Sequence, residues 1–226
     1  MCGRFTQIIG TFDYFEALFA QFSSFGEYDN VPINCYNITP HTKVRLFRPT
    51  PKGITMDSVR WGRKPQWATG IKRPINARSE TVATNKFYKT IWKSRCIIPA
   101  NGWYEWDNKN NIKQPYYIQL KTDKSMFFAG IGEFAGNEEN DGFVIITEDA
   151  KGDLADIHDR HPVVFTPKQA RLWLSDITPK QAEKIIKNSC DETNFKWHPV
   201  DYAVGNVTNE GAKLIQPKEA NDLFSQ

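Results

Sequence analysis

Cysteine is scarce in this chain: Cys2, Cys35, Cys96 and Cys190 are widely separated, and no two form a Cys-x-x-Cys pair. That spacing argues against a zinc site or a disulfide scaffold and suits a reducing cytosol. Histidine is equally sparse. His158 and His161 stand three apart, as metal ligands can, but no third ligand cluster accompanies them. No apolar run approaches the ~18 residues a membrane helix needs, and none follows Cys2 as the core of a signal peptide would. No stretch rich in Gly, Pro or Ser divides the chain, so one domain over 1–226 is expected, with a core of about 2–217 and a short tail. No heptad repeat suggests more than a monomer.

What the chain does hold is apolar and aromatic. The hydrophobic fraction is 40%, with 7 Trp, 8 Tyr and 15 Phe, enough for a packed globule. The net charge of +3 is unevenly spread. From His41 to Arg95 there are fourteen Lys and Arg against only Asp57 and Glu80, so the rest of the chain is acidic. The same segment carries Trp61, Trp67, Phe87, Tyr88 and Trp92. A solvated basic face is one reading. Cations that neutralise phosphates, interleaved with rings on which bases stack, are also the footprint of a single-strand nucleic-acid binder.

The first residues, Met1-Cys2-Gly3-Arg4-Phe5, hold a different chemistry. Once Met1 is removed, Cys2 presents an α-amine and a thiol on adjacent carbons. With reference pKa values of ~7.7–8.0 and ~8.5, roughly a tenth of the amine is uncharged at pH 7. Such a pair condenses with an aldehyde, the amine forming an imine on which the sulfur closes a five-membered thiazolidine. The plainer alternative is a cysteine at a frayed terminus.

Along the chain, Phe12, Phe15, Leu18, Phe19 and Phe22 mark an amphipathic helix over 11–23, and Ser23 to Asn34 a turn-rich connection. Cys35 to Pro40 reads as a shaped loop, because Pro40 forces Thr39 into extended geometry. Val44–Phe47 and Ile54–Trp61 read as strands flanking the Pro49–Gly53 turn. In the segment 74–81, Ser79 or Thr81 can cap a helix; alternatively Asn76 and Arg78 act as a neutral donor and a phosphate clamp. Residues 103–106 and 116–120 form a hairpin whose alternation puts Trp103 and Glu105 on one face and Tyr104 and Trp106 on the other. A carboxylate among rings either pairs with an arginine or, desolvated, has its pKa raised into general acid/base range. Met126–Phe134 and Phe143–Thr147 continue the antiparallel pattern. The loop around His158 then opens a short strand, Val163–Phe165. Thr166-Pro-Lys-Gln and Thr178-Pro-Lys-Gln are capping boxes that start two helices. Residues 196–206 suggest a last strand and 206–217 an extended segment.

Together, Met-Cys-Gly-Arg-Phe at 1–5, Asn-Ala-Arg-Ser-Glu-Thr at 76–81, Gly-Trp-Tyr-Glu-Trp at 102–106 and His-Asp-Arg-His-Pro at 158–162 resemble the SRAP family, the SOS-response-associated proteins that process abasic sites. The resemblance spans nearly the whole chain, to Asn-Glu-Gly-Ala-Lys-Leu-Ile at 209–215. It implies an α+β domain with a barrel-like antiparallel β core and flanking helices. It implies capture of the ring-opened abasic sugar of single-stranded DNA as a thiazolidine on Cys2, without cofactor or metal, in the cytoplasm (at the nucleoid in a bacterium) and at replication forks. Carried over by motif, Asn76 would orient the sugar, Glu105 would shuttle protons and His158 would assist ring opening. Arg4, Arg78 and Arg160 would hold phosphates, and Asn37, Pro40 and Trp67 would wedge and stack the strand. The family is also described as autopeptidases trimming what precedes the Cys. This chain departs from the pattern at His161, where Met is usual. Two other functions fit the residues: a peptidase acting on other proteins through Cys2, His158 and Asn76, and a non-catalytic reader of single-stranded or modified DNA.

Overall fold

The computed structural model describes residues 2–19, 31–68, 70–107, 113–137 and 139–218. In chain order the elements are β1 (Phe5–Gln7), α1 (Thr11–Phe19), β2 (Cys35–Ile38), β3 (Lys43–Thr50), β4 (Gly53–Arg60), β5 (Asn76–Arg78) and β6 (Arg95–Ala100). There follow β7 (Gly102–Asp107), β8 (Gln114–Leu120), β9 (Met126–Glu133), β10 (Gly142–Asp149), β11 (Arg160–Pro162), β12 (Val164–Phe165), α2 (Pro167–Leu174), α3 (Pro179–Ile186) and β13 (Phe195–Pro199).

The strands make two sheets. One runs β13-β8-β7-β1-β2; the other runs β11-β10-β9-β6-β3-β4, with β12 added on β9 and β5 on β10. Pairing is antiparallel except for β5, which lies parallel to β10 with Asn76 opposite Ile145. The larger sheet bends until Trp61 meets Phe143 in a single bridge, where a side chain on Gly142 would strike the Gly62 carbonyl. Among the described residues no ladder completes the turn. The class is α+β as expected, but the sheets are not closed into a barrel.

Strand periodicity explains the layers. On β9, Phe127, Ala129 and Ile131 pack toward the helices with Tyr14, Phe15, Leu18, Trp173 and Ile185. Met126 and Phe128 point between the sheets, to Phe5, Trp61, Cys96 and Trp103. A strand buried on both faces reads as an unbroken apolar run, as Met126–Gly132 does. The outer face of the smaller sheet is covered by the C-terminal segment, where Tyr104 and Tyr117 meet Val200, Val204 and Leu214. Each large ring in these layers contributes roughly 1.5–3 kcal/mol by leaving water.

Several expected elements are present. The 103–106/116–120 hairpin has Glu105 opposite Tyr116, and both Thr-Pro-Lys-Gln starts form reciprocal capping boxes. Others differ. Helix α1 buries Tyr14, Phe15 and Leu18, whereas Phe12 is exposed; residues 20–23, the 23–30 part of the connection and most of the 107–113 turn lie outside the described residues. Cys35–Ile38 is a strand rather than a loop, because β1 offers it an edge through Phe5 opposite Ile38. Asn76–Arg78 is likewise a strand, drawn onto β10, so Ser79 and Thr81 cap no helix and sit in turns. The 196–206 strand stops at Pro199, and 3-10 turns occupy Tyr202–Gly205 and Ala212–Ile215. No described helix is long and apolar enough to cross a membrane.

Candidate active site

Cys2 precedes β1, the strand next to the β2 edge of the smaller sheet. β1 is held on one side by β2 and on the other by β7, where Phe5 faces Trp103, and Tyr104 N donates to Arg4 O at 2.9 Å. Thr6 lies opposite Gly102, and the Tyr117 ring packs over that glycine so closely that no Cβ fits there. The terminus is thus built into the sheet. Cys2 is fully buried within the apolar layer between the sheets.

Three side chains from distant elements reach this corner. On β5, Ala77 packs to the helix side, so alternation turns Asn76 and Arg78 the other way. Asn76 Nδ2 donates to Cys2 O at 2.8 Å, while Tyr88 OH donates to Asn76 O at 3.0 Å and holds the strand. On β7, Glu105 shares the inward face with Trp103 and is buried. From the β10–β11 loop, His158 Nε2 lies 3.9 Å from Glu105 Oε2.

The electrostatics follow from this burial. Desolvation pushes the Glu105 carboxyl up to about 8, against the opposing charge of the amino terminus. It carries its proton at neutral pH and is a proton donor. Burial also raises the Cys2 thiol far above its usual range, and the Glu105 charge adds to this; the sulfur is a thiol, not a thiolate. Burial first, then the amino-terminal charge, lowers the His158 pKa, so its ring is neutral. Nδ1 accepts from the Arg160 backbone N–H at 3.0 Å, which leaves the proton on Nε2, facing Glu105. Asp159 Oδ1, on an exposed side chain, stands 2.9 Å from the same Nδ1 and competes for it once that nitrogen is protonated.

The family described as SOS response associated peptidase (SRAP) matches residues 1–207. The chain belongs to the SRAP family. It is 43% identical over 223 residues to the abasic site processing protein YedK of Escherichia coli, covering 96% of this chain and 100% of that protein. It is 31% identical to the abasic site processing protein YoqW of Bacillus subtilis, over 96% of this chain and 99% of the relative. The solved structure of a phage-related protein of Bordetella bronchiseptica superimposes with a TM-score of 0.75 at 32% identity, covering 88% of this chain and 94% of that one.

Within this SRAP chain the residues assigned to DNA divide in two. Arg78 and Trp67 are exposed, Trp67 at 53%, with its ring 5.0 Å from Phe87 and Lys86 Nζ 5.4 Å above it. Pro40 is half-buried in the turn after β2. The other three are engaged internally. Asn37 is 3% exposed and donates to the carbonyls of Asn206 at 3.0 Å and Asn209 at 2.8 Å, tying down the C-terminal segment. Arg4 donates to Asn37 Oδ1 at 2.6 Å and Val204 O at 2.7 Å and lies over the Trp106 ring. Arg160 is buried in β11 between Glu80 and Asp149. Asn37 and Arg160 lie on strands whose buried face leaves a polar side chain no route to water, so they take internal partners, whereas Arg4 is half-buried.

His161, the departure from the family pattern, is buried in β11 with Nδ1 2.8 Å from Pro162 O and its ring against Phe195. Of the two, His158 is the ring beside Glu105. Tyr88 and Glu80 escape sequence reasoning because their partners are set by sheet topology. Tyr88 follows Asn76 in a segment without periodicity, and Glu80 meets a residue on another strand.

Proposed function

We propose that this chain captures the ring-opened aldehyde of an abasic site in single-stranded DNA as a covalent thiazolidine on Cys2. The observation that carries the reading is the meeting of Cys2 with Asn76, a proton-bearing Glu105 and a neutral His158, in a chain whose relatives are named abasic site processing proteins. Met1 must leave first, since only then is the Cys2 nitrogen an amine; self-directed removal of Met1 is the peptidase activity we assign to the site. The exposed Arg78 and Trp67, within the basic segment, bring the phosphates and bases of the strand to it.

The chemistry then balances around one carboxyl. Neutral His158 takes the anomeric hydroxyl proton and delivers it to the sugar-ring oxygen as the bond from that oxygen to the anomeric carbon breaks, so the ring opens to the aldehyde and the imidazole is neutral again. The Cys2 amine attacks the aldehyde carbon, and Glu105 gives its proton to the resulting hydroxyl, which departs as water and leaves an iminium. Sulfur adds to the iminium carbon, its proton returns to the Glu105 carboxylate, and the π pair settles on nitrogen. One C–N and one C–S bond form, one water leaves, and Glu105 is regenerated. A carboxyl with a pKa of about 8 suits both directions of transfer near neutrality. We assign this activity to a cytoplasmic monomer acting on DNA alone.

The test is incubation with single-stranded DNA bearing one abasic site, followed by a denaturing gel. A protein–DNA band is expected for wild type and none for Cys2→Ala. Salt-sensitive binding with no band would make the chain a non-covalent reader; turnover of unrelated peptides without DNA would make it a general peptidase.

A further inference from the structure

We propose that Arg160 is a positioning residue, whose forked guanidinium locks the segment bearing Asn76 and Arg78 to the loop bearing His158 and whose backbone N–H holds the His158 ring toward Glu105. The role in the reaction rests on the function proposed above; the geometry stands apart from it.

The guanidinium is only 3% exposed. Nη1 and Nη2 meet the two Glu80 oxygens at 2.9 and 3.1 Å, the bidentate pairing that fixes orientation as well as distance. Nη1 also pairs with Asp149, and Nη2 donates to Thr147 O at 2.6 Å. That carbonyl accepts a second bond from Ser79 N at 2.8 Å. Glu80 lies two residues beyond Arg78 and four beyond Asn76 on the chain leaving β5. Asp149 and Thr147 belong to β10. Arg160 therefore joins β5, β10 and β11 at one point, two residues from His158. Against the burial that would raise it, the Arg160 hydrogen bond holds the Glu80 carboxyl below its usual range, so the pair stays ionised.

A DNA phosphate would have to displace Glu80 from a cation that water scarcely reaches. The exposed Arg78 offers a phosphate the same charge without that desolvation. The backbone contact matters as much. While Arg160 N–H points at Nδ1, the ring is neutral with its proton on Nε2. If the fork slackens, Asp159 takes over Nδ1–H and the ring protonates more readily. The titratable and charged groups around the ring are Glu105 from β7 and Asp159 and Arg160 from its own loop, and the amino-terminal charge also lowers its pKa.

Glu80→Gln and Arg160→Lys, each keeping size but losing the ionic fork, separate the clamp from a DNA contact. Each is expected to slow single-turnover cross-linking roughly ten- to a hundredfold, as small misplacements of reacting groups do. Affinity for undamaged single-stranded DNA should stay within about twofold, and the double variant should be no slower than the worse single one. Without DNA, nitrogen-15 NMR of the ring should show the Nε2–H tautomer in wild type, and a raised His158 pKa in both variants. Glu80→Gln cross-linking at the wild-type rate, or Arg160→Lys losing DNA affinity in step with rate, overturns the proposal. So does an unchanged ring titration. Failure of wild type to cross-link at all would sink the proposed function while leaving the NMR result to judge the clamp.

Discussion

Asn76 Nδ2 donates to the backbone carbonyl of Cys2 at 2.8 Å. One hydrogen bond thus ties the parallel strand added to the larger sheet to the residue ahead of β1 in the smaller one. Together with the Gln7 amide, which donates to Arg45 O and Pro99 O of the larger sheet, it links the two sheets across their apolar layer and holds residue 2 beside a carboxyl and an imidazole.

Asn76→Ala deletes that donor. The stability loss should be about 1 kcal/mol, the net worth of one hydrogen bond. Cross-linking should slow far more, because residue 2 is then free to swing from Glu105. Chemical denaturation and a gel time course on the same preparation compare the two; equal, small effects on both would show that Asn76 merely supports the fold.

Glu105→Gln should separate stability from activity. In the unfolded chain the carboxyl titrates near 4.5 and in the folded protein near 8. Below 4.5 it is neutral in both states and costs nothing. Between the two values the unfolded chain ionises while the folded one does not, so stability falls as pH rises, by on the order of 3 kcal/mol at pH 7, and levels off above 8. The neutral amide escapes this loss. Urea midpoints from pH 4 to 9 should diverge in favour of Glu105→Gln with rising pH, while its cross-linking is lost. Parallel midpoints across that range would show that the carboxyl is ionised in the fold.

Trp67→Ala and Arg78→Ala lie on the exposed basic segment, so each should leave the melting transition almost unmoved. Binding to single-stranded DNA should weaken in different ways. Losing the ring costs roughly 1–3 kcal/mol of stacking, whereas losing the cation reduces the salt dependence by about one phosphate contact. Fluorescence anisotropy across a salt series distinguishes them. Identical salt slopes for wild type and Arg78→Ala would remove Arg78 from the phosphate path.

Gly102→Ala should be among the most harmful single methyl additions. The new carbon would collide with the Tyr117 ring, whose hydroxyl is 3.0 Å from Thr6 Oγ1. Relief requires the Tyr117 ring to shift and release its bond to Thr6 on β1, at a cost of roughly 1–3 kcal/mol. Because Cys2 leads directly into β1, cross-linking should fall along with the melting temperature. A stable, fully active variant would mean that the ring moves aside freely.

Local rules carried much of this protein. Two-residue alternation put Glu105 on the face of Trp103, the Thr-Pro-Lys-Gln repeats set two helix starts, and the polar turn after Trp106 set a hairpin; each depends on neighbours a few positions apart. The adjacency of nitrogen and thiol at Cys2 is a covalent fact that needs no fold. Tertiary structure alone decided the rest. Cys35–Ile38 and Asn76–Arg78 became strands because β1 and β10 offered them edges, overriding the turn and capping signals in their own residues. Arg160 and Asn37, cations and amides like any others in the sequence, turned inward because their strands are buried and a polar group without water must find a partner inside. The closeness of Asn76, Glu105 and His158 to residue 2 arises from pairings between strands far apart along the chain, and short-range spacing carries no trace of it.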